Sequence, residues 1–196
     1  MKIAAIVLAA GRSSRFEGGH KLLAPIGGHA LIHAVMSAVD AAPVDDIILV
    51  TAPESGQIIS AAGPGRWRIV ANEAAADGLS SSIRAGLSSL ERNTDGALIV
   101  LADMPRVTCR LIAKLIGAFD ESCGEAIVFP QTRNGQQGHP VLWPRSLFAE
   151  LIGLSGDVGG KAILSRHRHL CRPVFADGDA AIFDIDTRAD LDIARQ

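Results

Sequence analysis

Ile3-Ala-Ala-Ile-Val-Leu8, followed at once by Ala9-Ala-Gly-Arg-Ser-Ser-Arg-Phe16, decides how this chain is read. The first six residues are an unbroken run of β-branched and aliphatic side chains, the mark of a strand buried on both faces. The glycine turn that follows carries two arginines. It lies just past the carboxyl end of that strand, where open parallel sheets collect their ligands. Three similar runs come later, Ile47–Thr51, Ala97–Leu101 and Ala126–Phe129. Between them apolar residues recur at helical spacing over Ala30–Val39, over Leu79–Leu90 and over Leu111–Phe119, the last with Thr108 as a suitable N-cap. Strand–helix alternation of this kind predicts an α/β fold with a mostly parallel sheet wrapped by helices. The shorter pieces Pro140–Trp143, Val174–Phe175 and Ile182–Ile185 read as later strands, one of them antiparallel.

Bulk properties narrow the field. A chain of 196 residues suits one compact domain spanning 1–196, and its 48% hydrophobic content can fill a core. The net charge of −2 favours neither nucleic acid nor an anionic membrane as partner, so any phosphate must be met by a focused site. Tyrosine is absent and aromatics reach only 4%, which argues against base-stacking platforms. Cys109, Cys123 and Cys171 are odd in number and scattered, so they read as reduced, mostly structural thiols of a cytoplasmic protein. No signal peptide and no apolar stretch of membrane-spanning length is evident. Asn134–Gly138 and Gly153–Gly160 read as site loops rather than domain boundaries.

Three stretches carry chemistry. In the first, Gly11 lets backbone approach a triphosphate, while Arg12, Arg15 and Lys21 supply positive charge. The spacing matches neither the P-loop nor the dinucleotide fingerprint, so a solvated glycine turn stays open as the plain alternative. In the second, Leu101-Ala-Asp-Met-Pro105, a carboxylate leaves a hydrophobic strand toward the same rim, where it could hold Mg²⁺ against phosphate oxygens. Asp103 could equally just begin the turn before Pro105. In the third, Phe183-Asp-Ile-Asp-Thr187, strand alternation would put Asp184 and Asp186 on one face, although Asp186 could also cap a helix starting near Thr187.

Taken in order, Leu8–Phe16 with Lys21-Leu-Leu, Gly78-Leu-Ser-Ser-Ser-Ile-Arg-Ala-Gly-Leu, Leu101-Ala-Asp-Met-Pro, Gly138-His-Pro-Val-Leu and Asp184-Ile-Asp-Thr resemble the molybdenum cofactor cytidylyltransferases. That family lies within the larger group of NTP-transferase domains. The first and third motifs are common to many nucleotidyltransferases. The triple serine, Gly-His-Pro-Val and Gly156-Asp-Val-Gly-Gly-Lys are narrower.

The resemblance implies a Rossmann-like three-layer α/β/α fold and transfer of CMP from CTP onto the phosphate of the molybdenum-bearing pterin, with pyrophosphate released. It implies that Leu8, Ala9, Ala10, Gly11, Arg12 and Arg15 hold the nucleotide, with Lys21 on the phosphates. Ser81 and Ser82 would lie near base and ribose, and Asp103 with Asp186 would hold Mg²⁺. Acceptor binding falls to Gly138, His139 and Asp157, with Gln136, Trp143 and Lys161 nearby. Related GTP users tend to carry Leu-Ala-Gly-Gly and a Thr in place of Met104; this chain resembles the CTP users. It departs from the pattern in lacking a Pro before Lys21 and in carrying Lys161 where Arg is common.

The expected chemistry joins two anions, so Arg15, Lys21 and Asp103 would act by preorganised electrostatics and no strong general base is needed. His167 and His169 read as surface residues and Trp67 as core or edge packing. The competing expectations are another phosphorylated acceptor, such as a sugar phosphate or a different cofactor, and a non-catalytic module that binds nucleotide and delivers the cofactor through contact with a molybdoenzyme or its assembly factor.

Overall fold

The computed structural model describes every residue except Arg12, Ser14, Arg15, Gly18, Asp177 and Gln196. In chain order the elements are β1 (Ile3–Leu8), the short hairpin β2 (Pro25–Ile26) and β3 (His29–Ala30), α1 (Leu31–Asp40), β4 (Asp46–Thr51), α2 (Gly56–Ala62), β5 (Arg68–Ala71) and α3 (Leu79–Ser88). There follow β6 (Gly96–Leu101), α4 (Cys109–Glu121), β7 (Ile127–Gln131), β8 (Val141–Pro144), α5 (Phe148–Ile152), α6 (Lys161–Arg166), β9 (Cys171–Phe175) and α7 (Arg188–Ala194). The main sheet has seven strands in the order β5-β4-β1-β6-β8-β7-β9. Strand β8 runs antiparallel to both of its neighbours, and every other pairing in this sheet is parallel.

The continuous apolar runs are explained by burial on two faces. Along β1, Ile3, Ala5 and Val7 pack into the core beneath α1, α4 and α7, while Ile6 and Leu8 face the core beneath α3, α5 and α6. Helix α4 is the clearest case of sequence dictating a boundary: Thr108 caps it by accepting from the Leu111 N–H at 3.2 Å, and Leu111, Ile112, Leu115, Ile116 and Phe119 form its buried stripe. The α/β architecture with a mostly parallel sheet, an antiparallel strand and helices on both faces is thus as the sequence predicts.

Some expectations fail in detail. Ile182–Ile185 is not a strand. The Ile182 and Phe183 N–H groups turn back onto the Asp179 carbonyl at 2.9 Å each, and the Ile185 N–H donates to the Asp103 carbonyl at 3.0 Å. These bonds replace a strand ladder, so alternation does not govern Asp184 and Asp186. Thr187, not Asp186, caps α7, in a reciprocal capping box with Asp190. The three cysteines are free, but Cys109 and Cys123 are exposed rather than structural, and Cys171 is half-buried. Trp67 is half-buried against the α1 side of the core. No helix among the described residues is long and apolar enough to cross a membrane.

Helix α3 lies so close to the sheet that a Cβ added at Gly86 would sit 2.4 Å from Ile6 Cγ2. Gly86→Ala should therefore destabilise by about 1–3 kcal/mol, an overpacking cost that outweighs alanine's better helix propensity. A thermal melt should show a loss of several degrees; an unchanged midpoint would contradict this close approach.

Candidate functional site

Strands β1 and β6 are paired in register, Leu8 opposite Leu101, so the chain leaves both at the same rim. The turn after β1 returns through His20, whose imidazole contacts the Gly11 carbonyl at 3.1 Å and the Ser13 hydroxyl at 3.3 Å. The Leu22 N–H donates to His20 Nδ1 at 3.3 Å, capping the single helical turn Lys21–Leu23. That turn aims Lys21 across the rim. Its Nζ donates to Asp103 Oδ2 at 2.6 Å and to Asp186 Oδ1 at 2.9 Å. Asp186 arrives from the far end of the chain because buried Ile185 is anchored to the Asp103 backbone. Three stretches separated by more than 80 positions thus meet at one ammonium group.

Burial alone would lower the pKa of Lys21, but the adjacent Asp103 and Asp186 carboxylates outweigh it and hold the ammonium above its ordinary value. Asp184 stands just outside this pairing: partial burial first, then repulsion from Asp103 and Asp186, raises its carboxyl above the usual carboxylate range. Asp103 Oδ1 is buried without a hydrogen-bond partner among the described residues. Two carboxylates with one oxygen uncommitted fit a hard divalent cation, which Mg²⁺ exemplifies by taking one or two carboxylates and completing its shell with phosphates and water. Among the described residues no group of three or more His, Cys, Asp or Glu side chains is placed to hold a metal ion together.

Lys21, Asp103 and Asp186 line a cavity of about 450 Å³ together with Leu8, Ala9, Ala10, Gly11, Gly78, Ser82 and Asp157. Of the residues expected around a nucleotide, Arg12 and Arg15 lie outside the described residues. Ser82 faces the cavity, whereas the Ser81 hydroxyl donates to the Gly78 carbonyl at 2.7 Å and is not part of the lining. Gly78 has φ +93°, and a Cβ there would sit 2.8 Å from the Asp157 N, so only glycine lets the 153–160 loop close on the start of α3. Asp157 also accepts from the Leu79 N–H at 3.4 Å, which places it at the helix start in the lining of this first cavity rather than with Gly138 and His139.

A second cavity, of about 490 Å³, adjoins the first and shares Leu8, Leu79 and Leu101 with it. Its walls are mainly apolar, with Ile83, Val141, Trp143 and Leu164, and its polar groups include Gln136, Gln137, His139 and Lys161. Gly138 and His139 are therefore brought together here, apart from Asp157. Gly138 is required because a Cβ would lie 2.1 Å from the Ala181 carbonyl, the group that accepts from the His139 N–H at 2.8 Å. His139 Nδ1 is buried and unpartnered among the described residues, and burial, partly offset by the Asp103 charge, lowers the imidazole pKa. His169 is exposed as expected, whereas His167 is half-buried, its Nε2 paired with Glu150 at 2.8 Å.

Sequence reasoning overlooked Asn72. It is 4% exposed, and its amide donates to the Ser81 and Ser82 hydroxyls at 2.8 and 3.0 Å. A lone Asn after the short strand β5 carries no signal of such a role; only its distance to α3 reveals it.

Comparison with known proteins supplies a family. Residues 5–170 match the model of the MobA-like NTP transferase domain. A protein of Haloferax mediterranei named a probable molybdenum cofactor guanylyltransferase is 32% identical over 126 residues, 62% of this chain and 57% of that one. This chain thus spans little more than half of that relative's length. The phosphoenolpyruvate guanylyltransferase of Sphaerobacter thermophilus is 31% identical over 165 residues, 83% of this chain and 76% of that one. Among solved structures, Rv0371c of Mycobacterium tuberculosis superposes with a TM-score of 0.84 at 27% identity, covering 98% of this chain and 97% of that one. Its complex with manganese superposes with a TM-score of 0.80 at 25% identity, covering 100% and 98%.

The His139 shift has a definite sign. Its pKa is lowered from 6.5 on folding, so as pH falls below that value the unfolded chain takes up the proton first and stability drains away. His20 is lowered too, by burial, and adds with the same sign. Melts of His139→Gln should therefore lose less stability than wild type between about pH 6.5 and 5, and parallel pH profiles would overturn the assignment.

Proposed function

The chain belongs to the family of MobA-like NTP transferase domains, and we propose that it moves a nucleoside monophosphate from an NTP onto a phosphorylated acceptor, releasing pyrophosphate. The observation that carries this reading is the Lys21 ammonium set between Asp103 and Asp186 at the rim of a cavity floored by the Ala9–Gly11 backbone. The more specific reading is transfer of CMP from CTP to the phosphate of the molybdenum-bearing pterin, for which the Leu8-Ala-Ala-Gly and Asp103-Met-Pro motifs speak. A second reading, GTP as donor, is favoured by the guanylyltransferase names of the relatives.

Each residue has a part that follows from its chemistry. Asp103 and Asp186 would hold Mg²⁺, with Asp103 Oδ1 the oxygen not already committed; the manganese complex of Rv0371c supports a divalent ion in this fold. Bound there, such an ion would supply charge neutralisation to the triphosphate. Lys21, and Arg15 by its place in the glycine turn, would stabilise the leaving pyrophosphate as fixed positive charges. Gly11 and Ala10 would offer backbone to the phosphates, and Arg12, next in the sequence, would add charge. Ser82, with Asp157, would meet the nucleoside. Gly138, His139 and Lys161 border the adjoining cavity, where an acceptor with a flat apolar body and a phosphate would find both kinds of surface. The acceptor phosphate is ionised at neutral pH and needs no base, so neutral His139 would orient the acceptor body rather than take a proton from the phosphate.

The test is pyrophosphate release with CTP, GTP or ATP in the presence of a divalent cation and molybdenum-loaded pterin. Turnover should need all three components: nucleotide, divalent cation and pterin. Lys21→Ala or Asp103→Ala should lower kcat by roughly two powers of ten or more, the scale set by loss of one charge-stabilising group. Nucleotide binding without pyrophosphate release in any combination would favour a delivery module instead.

A further inference from the structure

Asn72 ends the ladder of edge strand β5, its N–H donating to the Thr51 carbonyl at 2.7 Å, and its side chain turns inward. The side-chain Oδ1 accepts from the Ala74 N–H at 3.1 Å. A backbone N–H can only donate, so this bond settles which end of the carboxamide is oxygen. The nitrogen end must then face α3, where it forks onto Ser81 Oγ and Ser82 Oγ. Both hydroxyls are acceptors in these bonds. Ser81 donates its own proton to the Gly78 carbonyl. Ser82 is different: it is 6% exposed, lines the rim cavity, and donates to no acceptor among the described residues. A buried hydroxyl proton without an acceptor is costly, and the cavity is the side from which an acceptor can come.

We propose that Asn72 is a positioning residue that commits Ser82 to donate a hydrogen bond to an acceptor atom of the bound nucleoside. This rests on the nucleotide reading of the cavity. Asn72→Asp reverses the logic, because a carboxylate would take the Ser82 proton and leave only lone pairs facing the ligand. Ser82→Ala removes the hydroxyl altogether.

Binding of CTP, GTP, ATP and UTP by the intact chain with Mg²⁺, followed by calorimetry, separates the cases. Asn72→Asp should weaken binding of the preferred nucleotide by about ten-fold or more, and by more than Ser82→Ala does, since an opposed lone pair is worse than a missing group. Adding Ser82→Ala to Asn72→Asp should restore binding to the Ser82→Ala level. KM should follow the binding loss while kcat stays within about three-fold, as for a contact made equally in ground and transition states. A loss common to all four nucleotides assigns the acceptor atom to the ribose; a loss that differs among them assigns it to the base.

A double variant weaker than Asn72→Asp alone, or wild-type affinity in Asn72→Asp, overturns the proposal. If Asn72→Asp does not fold, Asn72→Ala takes its place, with sub-additive losses alongside Ser82→Ala expected and additive losses overturning it. Wild-type protein that binds no nucleotide overturns the functional reading and this proposal together; normal binding with additive variants overturns this one alone.

Discussion

Strand β1 is buried along its whole length and hydrogen-bonded on both edges, to β4 and to β6. With helices covering both faces, its backbone groups beyond Ile3, whose N–H donates to the Asp45 carboxylate, find their partners along those two edges, and parallel pairing then fixes where each chain segment must leave the sheet. Leu8 stands level with Val50 and Leu101. The glycine turn after β1 and Asp103 after β6 are therefore brought to one rim by register, before any attraction between their side chains acts. The site follows from the sheet.

What holds the rim together is electrostatic. Two carboxylates this close would repel, and neither Asp103 nor Asp186 is fully hydrated, with side-chain exposures of 20% and 31%. Lys21 offsets that repulsion and ties the last quarter of the chain to the first. The same set of charges suits a triphosphate with its metal: the carboxylates can hold a cation, and the ammonium can turn to phosphate oxygens. A lysine tied by hydrogen bonds yet carried on a flexible stem is suited to such an exchange in a way that a bidentate arginine is not.

The parts legible in the sequence were those with a repeating signal or a forced chemistry. Strands β1, β4 and β6 were readable because burial on two faces demands unbroken apolar runs, and α4 because its stripe and its cap agree. Asp103 was readable because a charged residue next to such a run must emerge at its end, and Lys21 because the basic glycine turn after β1 leads to it. Strand β5 was missed because an edge position leaves Arg68, Ile69 and Ala71 exposed and erases the pattern. Helix α2 is seven residues with no side-chain cap. Ile182–Ile185 misled because a short apolar stretch satisfies its backbone through long-range bonds to Asp103 and local bonds to Asp179, neither of which has any trace in local composition. Even so, Asp186 reached the site by that route.

The two cavities share Leu8, Leu79 and Leu101, so an apolar sill lies between a charged chamber and a mainly apolar one. This division suits a reaction between a polyanion and an acceptor whose only charged part is its phosphate. The apolar chamber can take the acceptor body without drawing the acceptor phosphate away from Lys21 and the carboxylates, because burying a charge among Ile83, Val141 and Trp143 would be costly. An acceptor phosphate would be favoured on the far side of the sill, toward Lys21, by its own need for polar partners. The loop that closes over both chambers is fastened to the start of α3, where the Ser80 hydroxyl donates to the Gly156 carbonyl at 2.7 Å and Asp157 accepts from Leu79. The segment that begins with Asp157, in the charged chamber, and ends with Lys161, in the apolar one, is thus held by the same helix turn that presents Ser82. A change at the start of α3 has a short mechanical path to the apolar chamber, and the geometry of one pocket is not independent of the other.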